Sequence, residues 1–134
     1  MCASTAGAAD LSPLTVEAAS GNHTFQVEIA DDDAGRAQGL MHRRDLAPDR
    51  GMLFDFGRDQ PVAMWMQNTY ISLDMAFVLA DGTVHRVEEN TTPLSTRSIE
   101  SGIDVRYVLE VPAGTARRIG MTRGSKLRHE IIGD

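Results

Sequence analysis

Residues 14–30 read LTVEAAS, then GN, then HTFQVEIA. In the first run Leu14, Val16 and Ala18 alternate with Thr15 and Glu17; in the second Phe25, Val27 and Ile29 alternate with Thr24, Gln26 and Glu28. Successive side chains of a strand point to opposite sheet faces, so each run carries one apolar face and one polar face. Gly21-Asn22 between them supplies the backbone freedom of a tight turn. A lone hairpin is barely stable in water, so its apolar face must pack on more sheet. The rest of the chain provides it. GMLFDF (51–56), VAMWMQ (62–67), ISLDMAFVLA (71–80), TVHRVEEN (83–90), VRYVLEV (105–111) and KLRHEII (126–132) all read as strands. The expected class is mainly β (α+β): a small antiparallel barrel-like or strongly coiled sheet of about eight strands with two short helices, an arrangement that shortens or removes open edges.

The helices fall where alternation stops. Asp32 or Asp33 in DDDAGRAQGLMHR (31–43) can cap a short helix, since a carboxylate accepts from free N–H groups at a helix start. An EF-hand loop counted from Asp31 needs Gly at its sixth position and Glu at its twelfth; Arg36 and His42 stand there, which excludes calcium of that kind. Pro112-Ala113-Gly114-Thr115 leads into one helical turn, and residues 91–104 form an aperiodic loop. The Asp81-Gly82 hairpin holds a conflict. Pairing Leu79 with Val84 and pairing Phe77 with Val87 set registers one residue apart, which predicts a bulge near Arg86 or cover on both faces.

The chain has 134 residues, enough for one domain that buries a core without disulfides or metal. Residues 1–12 read as a flexible tether and 13–134 as a single domain, expected to be a monomer. A net charge of −6 does not suit a phosphate backbone, so nucleic acid is not an expected partner. No apolar run reaches the length of a spanning helix. The single cysteine, Cys2, stands before a stretch of small residues, as in a bacterial lipoprotein cut just before an acylated cysteine. That predicts an extracytoplasmic, periplasmic domain whose membrane contact is a lipid on Cys2; a cytoplasmic protein with an incidental cysteine is the alternative.

Several separated blocks occur together: R-A-Q-G-L-M-H-R (36–43), G-M-L-F-D-F (51–56), W-M-Q-N-T (65–69), I-S-L-D-M (71–75), D-G (81–82) and Y-V-L-E-V-P-A-G (107–114). In that order, over roughly residues 14 to 132, they resemble the DUF192 (UPF0127) family. Gln67 replaces that family's usual Lys and Ser72 its usual Pro. The resemblance implies a compact β-rich domain, often secreted or lipid-anchored in bacteria, and no known activity.

Motifs for nucleophilic, zinc-dependent and nucleotide chemistry are absent. Glu88 and Glu89 are adjacent on a strand and so face apart. His23, His42, His85 and His129 are scattered, without ligand spacing, and no metal or other cofactor is expected. Met64 and Met66 share a strand face, with Met41, Met52 and Met75 as neighbours; thioethers suit Cu(I), although methionine chiefly fills cores. Asp74 is the most pointed residue. It lies inside an apolar run, on the face opposite Leu73 and Met75, and a buried carboxylate needs donors. Arg36, Arg43, Asn68 and Thr69 are the donors expected. Either such a bond ties the 68–70 loop to the first helix, or Arg43, Asn68, Thr69 and Asp74 converge with Trp65 as the flat wall of a pocket for a sugar, an amine or a peptide end. The leading expectation is a non-catalytic module binding a small polar ligand or a protein partner. A hydrolase using Asp74 as general base and a methionine-based copper protein are the alternatives.

Overall fold

The computed structural model describes residues 10–133; Cys2 and most of the expected tether lie outside them. In chain order the elements are β1 (Ser12–Ala18), β2 (Gly21–Ala30), α1 (Asp33–Gln38), β3 (Arg50–Met64), β4 (Leu73–Val78), β5 (Val84–Glu88), β6 (Ile99–Pro112), α2 (Thr115–Ile119) and β7 (Lys126–Arg128). The strands form one sheet in the order β5-β4-β6-β3-β2-β1-β7. It curls until its edges meet: Thr83, just before β5, bridges Lys126 of β7, and the Val84 N–H donates to the Ser125 carbonyl at 2.8 Å.

The first hairpin pairs as its alternation requires, with Leu14 opposite Phe25 and Val16 opposite His23. Seven strands replace the expected eight. GMLFDF and VAMWMQ run as one strand, β3, which stays paired with β6 by shifting register between Asp55 and Gln60 and again between Pro61 and Ala63. VAMWMQ stops at Met64, and KLRHEII shrinks to the three residues of β7. One pairing departs from the antiparallel pattern: β2 and β3 run parallel. A parallel pair needs a crossover, and residues 31–49 with α1 provide it. The expected bulge is present in β5, where Phe77 pairs with Arg86 and Val78 with Val84, leaving His85 between them.

Both faces of the middle of the sheet are covered. One cluster gathers Leu14, Phe25, Leu53, Ala76, Leu109 and Leu127 on the concave side. A second gathers Leu40, Phe54, Met66, Met75, Phe77 and Val108 on the other, beneath α1 and the loop after β3. Every residue of β4 is therefore buried, and its sequence is a continuous apolar run interrupted only by Asp74. Met52, Met66 and Met75 are packing residues of the second cluster, with Met64 half-buried beside them.

Candidate functional site

Asp74 is fully buried, and its donors are not the ones the sequence suggested. One carboxylate oxygen accepts from the Asn90 N–H at 2.9 Å. The other accepts from Gly114 N–H at 3.1 Å and Ala116 N–H at 2.9 Å. Gly114 is the N-cap of α2 and has no side chain to satisfy the free N–H groups there; Asp74, forty residues away in the chain, supplies the acceptor. Asp74 thus ties β4 to α2 and to the turn at Asn90, not the 68–70 loop to α1.

None of the four expected donors reaches Asp74. Arg36 donates to the Asp55 carbonyl at 2.8 Å and to Asp33 at 2.7 Å, fastening α1 to β3. Asp32 caps α1 through the Gly35 N–H. Arg43 grips Glu28 of β2 with both guanidinium nitrogens at 2.6 Å, and Arg50 approaches the same carboxylate at 3.6 Å. Glu28 raises the Arg43 pKa through this bond. Asn68 is exposed, and its carbonyl accepts from His42 N–H at 2.8 Å. Thr69 is buried; its hydroxyl donates to the Gln67 carbonyl, and its own carbonyl accepts from Leu94 N–H at 3.0 Å.

An open pocket exists beside these residues. It is a cavity of about 260 Å³ between α1 with its following turn, β3, and the arm 65–69. Trp65, 49 % exposed, stands at its edge, and Thr69 lines it; Arg43, Asn68 and Asp74 do not. Phe54, Phe56 and Leu40 give it an apolar wall, and Arg36, Gln38, Gln67 and Thr69 a polar one. Gly39, which ends α1 with φ +48°, seats the helix against Phe54: a Cβ there would come within 3.2 Å of that ring.

The floor of this pocket is Glu110. It lies on β6 opposite Met52 of β3 and Met75 of β4, which share its sheet face. It is 4 % exposed, and among the described residues its carboxyl has no hydrogen-bond or ion-pair partner. Burial pushes its pKa up from 4.5 to about 8, because the charged form has lost water and gained nothing. The carboxyl is therefore mainly protonated at neutral pH and can donate a hydrogen bond. Once ionised, it becomes a buried charge without a partner among the described residues. Gly51 sets how closely β3 passes this point: a Cβ on it would fall 2.6 Å from the Glu110 carbonyl oxygen.

Sequence reasoning passed over Glu110, although its signal matched that of Asp74: an acid interrupting an apolar run, YVLEV beside ISLDM. Strand alternation puts Glu110 on the face opposite Leu109 and Val111, which belong to the concave cluster.

The loops around the 65–70 arm are strained. Four described non-glycine residues have positive φ, namely His42, Asn68, Asn90 and Leu94. Each costs of order 1 kcal/mol or more, most for the bulky Leu94. His42 is strapped to Asn68 and Leu94 to Thr69, while Ser95 accepts from Met66 N–H at 2.9 Å, so these loops hold the arm against the sheet. Among the described residues no three His, Cys, Asp or Glu side chains gather as a metal site.

Comparison with known proteins gives a family but not an activity. No curated protein matches the chain. A solved structure from Sinorhizobium meliloti 1021, named only provisionally as a transcription regulator, is 49% identical. It covers 88% of this chain and 92% of its own, with a TM-score of 0.86. A protein of unknown function from Novosphingobium aromaticivorans DSM 12444 is 32% identical over 96% of this chain and 91% of its own, with a TM-score of 0.88. The profile of the DUF192 family, described as Uncharacterized ACR, matches residues 15–129. With that match across nearly the whole sheet, from β1 to the end of β7, the chain belongs to the DUF192 family.

Proposed function

We propose that this domain binds a small molecule in the pocket between α1 and the Trp65 arm, with Glu110 as the polar anchor and the aromatic wall as the apolar contact. The observation that carries the reading is the Glu110 carboxyl: buried, without a partner, and at the floor of an open cavity. Buried polar groups without partners are rare because they cost stability, and they concentrate where a ligand completes them. The strained loops that brace the arm support the same reading. A pocket with an apolar wall and few polar groups is the usual form of a small-molecule site. Nothing beside Glu110 supplies the paired base or nucleophile of a hydrolase, so we read the module as a binder. The net charge of −6 argues against extending to this chain the provisional name of the Sinorhizobium relative.

Trp65 is the only tryptophan in the chain, so its emission reports on the pocket directly. A fragment screen by amide NMR, followed by Trp65 emission, tests the reading. Ligands are expected to shift resonances of Leu40, Trp65 and Glu110 together and to lose affinity in Trp65→Ala. Hits that cluster elsewhere, or no hits at all, would remove it. Met41 and Met64 also line the pocket, which gives the Cu(I) reading its one foothold. Titration with Cu(I) against a competing chelator separates the two, since thioether ligation would survive Glu110→Gln. The proposal retains an extracytoplasmic location with a lipid on Cys2. Labelling the natural gene product with an alkyne fatty acid, lost in Cys2→Ser, checks that part.

A further inference from the structure

Resting on that reading, we infer that the pocket selects an organic ammonium ion: a protonated amine on an apolar stem, seated with its nitrogen on the Glu110 carboxylate. The geometry carries this in three parts. The carboxyl at the floor has no internal cation. Arg36 is the other charged residue lining the cavity, and its guanidinium is already held by Asp33 at 2.7 Å and by the Asp55 carbonyl, and lies over the Phe56 ring at 5.7 Å. The residues paired with Glu110 on the flanking strands are Met52 and Met75, and Arg50, two residues before Met52 on β3, is turned to Glu28 at 3.6 Å. Among the described residues, the other charged groups on this sheet face near Glu110 are Glu28, Arg43 and Arg50, and they are held to one another.

An ionised carboxylate in such a chamber is relieved best by a donor that is itself charged, because an N⁺–H···O⁻ bond is roughly twice as strong as a neutral one. The walls favour the same choice. Trp65, half-exposed at the edge, is an aromatic ring that attracts a cation, and the stem of the ligand covers apolar surface. An anionic ligand would instead meet Glu110. The proton balance is explicit. Glu110 begins as the neutral acid, loses its proton to solvent as the ammonium enters, and becomes the carboxylate of an ion pair; one proton is released per ligand bound. Affinity should thus rise about tenfold per pH unit while Glu110 is protonated in the free protein, and level off above about pH 8.

The test uses the full chain and three probes with one aromatic body: phenethylamine, phenethyl alcohol and phenylacetate, each titrated against Trp65 emission near pH 8.5. A fourth probe, Nα-acetyl-lysinamide, distinguishes a lysine side chain of a partner from a free amine as the source of the ammonium. The expected result is that the amine binds about tenfold or more tighter than the alcohol, with phenylacetate weakest, and that the preference disappears in Glu110→Gln. Proton release, measured near pH 6.5 in two buffers of different ionisation enthalpy, should approach one per amine and fall to about a quarter at pH 8.5. Equal affinity for amine and alcohol overturns the inference and leaves the pocket as a binding site. Tightest binding of phenylacetate overturns it in favour of Arg36. No response to any probe, in emission or in amide shifts, overturns both the inference and the binding reading. Loss of amine preference through unfolding of Glu110→Gln is ruled in or out by its urea transition, which should lie at or above that of the wild type.

Discussion

Asp74 and Glu110 are buried acids on adjoining strands, one residue apart in register, and they face opposite sides of the same sheet. Asp74 is surrounded by donors: three backbone N–H groups spend their hydrogen bonds on it, and two of them start α2. Glu110 is flanked by Met52 and Met75, accepts from no group among the described residues, and opens onto a cavity. The first carboxylate builds the fold. The second costs the fold stability, and a group that costs stability is where function is to be sought. The difference is not one of residue type or depth. It lies in whether the protein itself completes the group.

The most severe way to break this contrast is Asp74→Ala. The buried Ala116 N–H and the part-buried N–H groups of Asn90 and Gly114 would lose their acceptor at once, and α2 its cap. The expected loss is about 4 kcal/mol of unfolding free energy in a urea titration, given the penalty for each orphaned group. A loss under about 1 kcal/mol would deny Asp74 its structural role. Glu110→Gln should act in the opposite direction. The folded protein holds the Glu110 proton up to about pH 8, whereas the unfolded chain releases it near 4.5. Between those values the native state binds more protons, so wild-type stability falls as pH rises and levels off above pH 8. The variant lacks that fall. It should match the wild type at pH 4 and exceed it by roughly 4 kcal/mol at pH 8.5. A variant less stable at both pH values would mean that Glu110 is a fold-building residue after all.

Two smaller effects sharpen the comparison. Arg43→Met removes the bidentate partner of Glu28, leaving that nearly buried carboxylate only the longer contact with Arg50. Because Arg43 itself is partly solvated, the loss should be about 1–2 kcal/mol, with no change in ligand response. Trp65→Ala should leave stability within about 1 kcal/mol, since half the ring is already in water, yet it should weaken every pocket ligand. A variant that destabilises without affecting binding, or the reverse, separates scaffold from site at each position.

The sequence made the local features readable. Alternation around Gly21-Asn22 set the first hairpin, Asp32 announced the cap of α1, and the register conflict at Asp81-Gly82 placed the bulge beside Arg86. These depend on residues within a few positions of one another. The parallel pairing of β2 with β3 depends on where a nineteen-residue excursion returns (residues 31–49), and no period in the chain encodes it. The same limit governed the site. ISLDM and YVLEV carry equal warnings of a buried acid, but whether donors await it is decided by Gly114 and Ala116 for Asp74, and by apolar neighbours from β3 and β4 for Glu110. Trp65 and Thr69 do meet at a pocket; the carboxyl that completes it comes from another strand.

The contrast between the two acids is tested most directly by titrating the side-chain carboxyl carbon of Glu110 by carbon-13 NMR, with the resonance assigned by its absence in Glu110→Gln. The structure predicts a midpoint near pH 8, moving downward when an amine occupies the pocket. A midpoint in the ordinary carboxyl range near 4.5 without ligand would mean that water or an internal partner already completes Glu110, and the site would be lost with it.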